Sequence, residues 1–594
     1  VTRTPLRPLA RILSARDRGE NPDAIERENL RLRHEAMRDK SRQRAEGRLL
    51  VMGLLFFSAF TVVGARMGLL AATDPVEPRA AVSGASILAQ RADIVDREGR
   101  ILATNLVTHS LYAQPQSMVE PERAAEELAA IFPDLDAEEL KEDFTGTRKF
   151  LWIKKKISPE QMQAVHDIGD PGLLFGPREM RIYPNGALAS HVLGGASFGR
   201  EGVHSAEVIG TAGVEKTFDG WLRDPGNGGQ PLQLSIDLGV QATMEEVLSG
   251  GMKLMNAKGA AAILMDIHSG EVVAMASLPD FDPNTRPQPA LKGDPSDSPL
   301  FNRAVQGVYE LGSTFKVFAI AQAMDLGLVN PQTKIATKSP MTWGKHRIRD
   351  FHDYGAELSV TEIIVKSSNI GTARVALMLG GERQKAFLGT LGLLEPVPIE
   401  MVEAPTGKPL VPRTWPEITT MTVSYGHGLS ASPLHLAAAY ASVLNGGTKV
   451  TPTILKSPVP KPGPRVVSEQ TSSIMRATLR AVVTRGTASF AEVPGYAVAG
   501  KTGTADKPIP TGGGYYKDRV IATFASVFPA HDPKYVLITS LDEPSETSGA
   551  EPRRTAGWTA VPVGAEIIRR VAPMLGLRPE VEPPAQHGIT LVRN

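Results

Sequence analysis

The chain has 594 residues, enough for several domains, and 42% of them are apolar, enough for sizeable cores. Its 65 lysines and arginines nearly balance 64 aspartates and glutamates, so a formal charge of +1 leaves no electrostatic footprint for nucleic acid. There is no cysteine, which excludes disulfides, thiolate metal sites and cysteine nucleophiles together, and suits export to an oxidising compartment.

Residues 1–48 are crowded with arginine, with enough Asp and Glu interleaved to leave a modest positive excess. "NPDAIERENLRLRHEAMRDKSRQRAEGR" reads as a polar helix laced with opposite charges, a solvated juxtamembrane segment. Leu49 to Ala65, "LLVMGLLFFSAFTVVGA", carries no charge. At about 1.5 Å per residue it spans roughly 25 Å, and continuing through Arg66 to residue 72 reaches the roughly 30 Å of a bilayer core. Arg66 can snorkel to the interface. A cleaved signal peptide would have a far shorter charged n-region, and the basic flank on one side only argues against a buried core helix. The expectation is a cytoplasmic tail over 1–48, an anchor over 49–72 and an exported body beyond it.

"DPVEPRAAVSGASILAQ" has the Pro and small residues of a linker. Arg91 to Asn105, "RADIVDREGRILATN", predicts a hairpin with an Asp-Arg-Glu-Gly turn. A helical, acidic region is expected from Glu120 to Phe144, then turn and strand signals in "REMRIYPNGALASHVLGG" and "AGVEKTFDGWL". No catalytic constellation stands out over 73–230, which reads as a non-catalytic, β-rich platform.

From residue 231 the character changes. Gly259 to Ser277 predicts two strands around His268-Ser269-Gly270, buried on at least one face. Helical patterns occupy most of 310–490, and "AVAGKTGTA", "RVIATFASVF" and "KYVLITSL" are three further strands before the amphipathic "VPVGAEIIRRVAPML". Strands from both ends of this region flank a helical middle. The simplest packing is one antiparallel sheet covered by helices, an α/β (α+β) domain over 231–578, with a flexible tail over 579–594.

"YELGSTFKVFAIAQAMDLGL" poses the chemical question. A helix starting near Ser313 puts Val317, Ile320, Ala321, Met324 and Leu328 on one face, and Lys316 one turn after the serine. A serine N-cap followed by a solvated lysine is the bland alternative. Serine needs a base to become a nucleophile, and His346, His352, His427 and His435 lie in no triad signature. Lysine can serve when burial and nearby cations lower its pKa. Two more clusters fit such a site: "KSSNIGTA", with Ser367 and Asn369 on one side of a turn, and "GKTGTA", with Lys501 on a strand beside the small Gly503.

Ser313-Thr314-Phe315-Lys316, Ser367-Ser368-Asn369 and Lys501-Thr502-Gly503 resemble, in order and separation, the three motifs of penicillin-binding proteins and serine β-lactamases. "RADIVDREGRILA", "GVEKTFDGWL", "ILMDIHSGEVVAMASLPDFDPN" and "YGHGLSASPLHLAAAYA" extend the likeness to class B penicillin-binding proteins over roughly 49–578. These are single-span bacterial D,D-transpeptidases with a pedestal (dimerisation-type) domain, and Asn369 resembles the division-specific, penicillin-binding protein 3 branch. The rod-elongation branch typically carries Asp there.

The resemblance implies Ser313 as nucleophile and Lys316 as its base. It implies Ser367 as the donor to departing D-alanine, and Asn369 as a holder of the lysines and the peptide amide. Lys501 with the Thr502 and Thr504 hydroxyls would bind the terminal carboxylate beside Gly503. The N–H groups of Ser313 and Thr504 would hold the oxyanion. It implies no metal or organic cofactor. The implied partners are peptidoglycan stem peptides ending in D-Ala-D-Ala, β-lactams, a membrane glycosyltransferase and other division proteins, with the catalytic domain outside the bacterial inner membrane. A β-lactamase would need a further base, and no Glu-x-x-Leu-Asn segment lies between Asn369 and Lys501. A β-lactam receptor would carry more spans and a His-Glu-x-x-His motif.

Overall fold

The computed structural model describes residues 8–72, 91–198, 208–289, 292–457, 463–509 and 513–581. The chain divides into two compact units, Val1–Ile87 and Leu88–Asn594.

In the first unit a short helix, Leu9–Asp17, precedes a 51-residue helix, Pro22–Ala72. Its polar half carries i,i+4 ion pairs, Arg31 with Glu35 at 3.0 Å and Arg42 with Glu46 at 2.8 Å, as the charge lacing predicts. The stretch Glu46–Met67 is long and apolar enough to cross a membrane, and none of it is buried against other parts of the protein. The expected linker falls within 73–90, outside the described residues.

The second unit begins with the expected hairpin. Ile94–Val95 pairs antiparallel with the start of the long strand Ile101–Ala113, and Gly99 at φ +83° makes the turn. Strands Leu151–Ile157 and Leu173–Ile182 both pair with that long strand, and Leu232–Gln233 adds in parallel to Ile94–Val95. The acidic region forms helices Pro121–Ile131 and Ala137–Thr145, the second capped by Asp136. Leu111, Leu128, Phe132, Phe144 and Val165 make a separate core here, whereas Ile94, Leu102 and Val192 join the core of the larger sheet.

"AGVEKTFDGWL" is not a strand but two short helices, Gly213–Thr217 and Asp219–Leu222. The physical reason is Glu215, fully buried and held at 2.6 Å by both Arg91 and Arg181. Arg91 also reaches Asp219 at 2.8 Å, and Tyr183 Oη donates to Glu215 at 3.2 Å. The two helical turns bring Glu215 and Asp219 to one arginine.

Residues 238–574 build the sheet and its layers: α1 (Leu238–Leu254), β1 (Gly259–Asp266), β2 (Val272–Leu278), α2 (Lys316–Asp325), α3 (Asn369–Leu379), α4 (Pro433–Leu444), α5 (Glu469–Arg485), β3 (Ala499–Pro508), β4 (Tyr515–Phe528), β5 (Tyr535–Asp542) and α6 (Ala560–Met574). The sheet is antiparallel throughout, in the order β3-β4-β5-β1-β2, so strands from both ends flank a helical middle as expected. β1 and β2 are buried nearly end to end, as two-sided packing requires. α1 and α6 lie against one another and the sheet, while α4 packs on β5 and β1. β3 is an edge strand, and it faces the serine turn.

α2 ends at Asp325, earlier than the apolar spacing predicts, because Gly327 takes φ +67° and turns the chain. Leu328 therefore lies beyond the helix, though it still packs on the core. Val317, Ile320 and Ala321 are fully buried. Burying each large apolar side chain of this kind contributes about 1.5–3 kcal/mol. Pro579 and Glu580 lie against Gly495, with Glu580 N–H donating to its carbonyl at 2.9 Å; the rest of the expected flexible tail, from 582, falls outside the described residues.

Candidate active site

Ser313 sits in a tight 3-10 turn, Gly312–Phe315, that leads directly into α2. It is not the N-cap of the helix. The Lys316 N–H donates to the Ser313 carbonyl, so serine and lysine are one turn apart. Three glycines make the turn possible. A Cβ on Gly426, which has φ +86°, would fall 1.9 Å from the Gly312 carbonyl oxygen, and one on Gly503 would fall 2.2 Å from that of Leu311. Gly312 itself has φ +56° and donates to Gly426 O at 3.2 Å. The Gly503 of the third motif is thus a packing requirement: its bare Cα lets β3 press on the serine turn.

The side chains of the three motifs meet at Ser367. Lys316 Nζ donates to Ser367 Oγ at 3.1 Å and also to the Ser367 carbonyl. Lys501 Nζ donates to the same Oγ at 3.0 Å and to Thr502 O at 3.1 Å. Both lysines are fully buried. Burial is the main cause that holds Lys316 well below the ordinary lysine range; the Lys501 charge pushes the same way, and Asp350 opposes it. Burial lowers Lys501 to about 7. A lysine held this low gives up its proton more readily than an exposed one, and Lys316 stands one turn from the Ser313 hydroxyl.

Ser367 adopts φ +62°, a left-handed conformation that serine rarely takes. The next residues stabilise it. Ser368 caps α3 by accepting from Gly371 N–H at 2.9 Å, and it donates to Asp350 Oδ2 at 2.7 Å. Asp350 Oδ1 accepts from the N–H groups of Asn369 and Ile370 at 2.5 and 3.0 Å. Asn369 Nδ2 donates to the Arg349 carbonyl at 3.1 Å.

Ser313, Ser367, Asn369, Thr502 and Thr504 line one cleft of about 400 Å³. Lys316, Lys501 and Gly503 lie behind its wall. The lining also includes Phe351, His352 and Tyr354, with Phe351 83% exposed, and Phe490 and Trp558, ring centres 5.1 Å apart. Thr487 and Thr502 share a hydroxyl hydrogen bond of 2.7 Å, and the Ala556 N–H donates to Thr504 Oγ1 at 3.0 Å. Of the histidines, His352 reaches the cleft. His435 is buried in a capping box with Ser432.

Asp350 and Thr487 escaped the sequence reading. Each is a single residue outside the motif it touches, and neither sits in a recognisable pattern.

Comparison with known proteins gives a consistent picture. Residues 260–568 match the penicillin binding protein transpeptidase domain and residues 86–231 the penicillin-binding protein dimerisation domain. The chain is 34% identical over 567 residues to a probable peptidoglycan D,D-transpeptidase FtsI of Caulobacter vibrioides, covering 93% of each. It is 27% identical over 519 residues to the peptidoglycan D,D-transpeptidase FtsI of Escherichia coli, covering 82% of this chain and 84% of that protein. Among solved structures, penicillin binding protein 3 from Mycobacterium tuberculosis, complexed with aztreonam, aligns with a TM-score of 0.63 at 25% identity, covering 84% of this chain and 98% of that one.

Proposed function

The chain belongs to the penicillin-binding protein transpeptidases with a dimerisation domain, and from that premise we propose that it is a peptidoglycan D,D-transpeptidase of the division septum. The observation that carries the chemistry is the convergence of Lys316 and Lys501 on Ser367 Oγ, behind a cleft lined by Ser313.

In this reading Ser313 Oγ attacks the carbonyl of the penultimate D-alanine of a stem peptide, and its proton passes to neutral Lys316. The backbone N–H groups of Ser313 and Thr504 hold the oxyanion. Ser367, already bridged to both lysines, hands a proton to the departing D-alanine. The Thr502 and Thr504 hydroxyls meet the terminal carboxylate at the cleft surface, and the buried Lys501, which near neutral pH is only partly protonated, supplies positive charge from behind in its protonated form. Asn369 contributes from the cleft wall. The stem peptide adds to the free edge of β3 as a further strand. An amine of a neighbouring stem then attacks the acyl-enzyme, forming the cross-link and freeing Ser313. β-Lactams stop at the acyl-enzyme.

The helix Glu46–Met67 fits a single-pass membrane protein. We assign 1–48 to the cytoplasm, 49–72 to the anchor, 73–230 to the pedestal, 231–578 to the transpeptidase domain outside the membrane and 579–594 to a tail. A polymerising glycosyltransferase and division proteins are the partners this role requires. The reading is tested by supplying lipid-linked precursor and such a polymerase. Cross-linked stem dimers should form with the wild type and not with Ser313→Ala. Glycan strands that stay uncross-linked with the wild type would overturn it.

A further inference from the structure

Where β5 ends against the start of β1, the protein encloses a cavity of about 10 Å³. Ala260 and Ala261 of β1 and Ser540 of β5 line it, together with Arg303, Tyr309 and Asp542. Arg303 and Asp542 are 2% and 4% exposed, yet Arg303 Nε stands 3.8 Å from Asp542 Oδ2, too far for a hydrogen bond. Among the described residues, nothing pairs with the buried Arg303 Nε and Nη1, Tyr309 Oη or Asp542 Oδ2. A buried donor or acceptor left unpaired is costly, and several around one space call for a shared partner.

Two glycines make room for these side chains. A Cβ on Gly259 would fall 2.2 Å from Arg303 Nε, and one on Gly307 would fall 2.3 Å from Tyr309 Oη. The neighbouring polar atoms are already engaged. Arg303 Nη2 donates to the Ser296 carbonyl, Asp542 Oδ1 accepts from Lys507 Nζ at 2.7 Å, and Ser540 Oγ shares a hydrogen bond of 2.9 Å with Thr523. What remains is a guanidinium and a phenol facing one carboxylate oxygen. A space of this size holds one water, which makes about three hydrogen bonds. A halide would meet the Asp542 charge and a cation the Arg303 charge, so a neutral molecule that both donates and accepts fits best.

We propose that this cavity is a built site for one internal water molecule, which accepts from Arg303 and from Tyr309 Oη and donates to Asp542 Oδ2. The water completes the Arg303–Asp542 pair and ties Tyr309 to the end of β5. Tyr309 lies just ahead of the serine turn, and its backbone pairs with Ala431 in both directions, at 3.0 and 2.9 Å. The approach to Ser313 is thus anchored to the sheet through the water. The site stands independently of the part assigned to Ser313 above.

The test reads the sign of a stability change. Tyr309→Phe in the full-length protein removes the hydroxyl and keeps the ring. With the water in place the hydroxyl is satisfied, so its loss should lower the melting temperature by about 1–3 °C. Without the water the hydroxyl is a buried donor with no partner, and removing it would leave the melting temperature unchanged or raise it; that result would overturn the site. A crystal structure of the full chain, from crystals grown with and without bromide, identifies the occupant. One peak within hydrogen-bond distance of Arg303, Tyr309 Oη and Asp542 Oδ2, with no anomalous signal from bromide, is expected. A bromide peak there, or Arg303 Nε bonded directly to Asp542 Oδ2 with nothing between them, would overturn the assignment.

Discussion

Lys316 and Lys501 come from different layers, one from the helix after the serine turn and one from the edge strand, yet both donate to Ser367 Oγ, at 3.1 and 3.0 Å. Two ammonium groups buried around one hydroxyl repel each other and lack water, so the arrangement favours losing a proton. In the proposed mechanism this fits lysine, rather than histidine, for the part of proton acceptor.

The first expectation concerns stability and pH. Folded, Lys501 releases its proton near pH 7; unfolded, it keeps it to the ordinary 10.5. Between those values the unfolded chain binds more protons, so the free energy of unfolding rises with pH across the window. Chemical denaturation at several pH values from about 7 to 10 should show wild type gaining stability relative to Lys501→Met. Parallel curves would mean that Lys501 is not deprotonated in the folded protein.

Gly503→Ala tests the contact between edge strand and serine turn. The added Cβ would meet backbone at 2.2 Å, and a backbone atom has no rotamer by which to escape. The substitution should destabilise by about 1–3 kcal/mol and slow penicillin acylation at least about tenfold. Normal melting and normal acylation would show that the strand can move away freely.

Glu215→Ala should be severe although it lies far from the cleft in sequence. It leaves Arg91 and Arg181, both buried, without their shared carboxylate. Removing one partner from such a cluster costs about 3–5 kcal/mol. Denaturant unfolding measures it, and a loss under about 1 kcal/mol would contradict the cluster's role.

Much of this was legible in the sequence, and what was not has a physical reason. The hairpin at 91–105, the five strands and the three motifs are local patterns, set by residue type and spacing. The helices at 213–222 are not legible locally because Glu215 answers to Arg91, 124 residues away. Apolar spacing carries the helix after Ser313 past its end at Asp325, because spacing does not register the turn at Gly327. Ser367 at φ +62° was invisible because serine is not a residue that announces a left-handed turn, and Asp350, which stabilises it, carries no motif.

In cells, blocking the enzyme should stop septation while elongation continues, giving long filaments, with fluorescent fusions gathered at midcell beforehand. Rounded cells and a fusion spread along the side wall would assign it to elongation and leave the chemistry untouched.

The most direct measurement is intact-mass and peptide mass spectrometry after incubation with benzylpenicillin. The expected result is one lasting adduct per chain, equal to the mass of the whole β-lactam, on the peptide containing Ser313, and none on Ser313→Ala with an unchanged melting temperature. An adduct on another residue, labelling that survives in the folded variant, or hydrolysed penicillin with no adduct would contradict Ser313 as the acylated nucleophile of a transpeptidase.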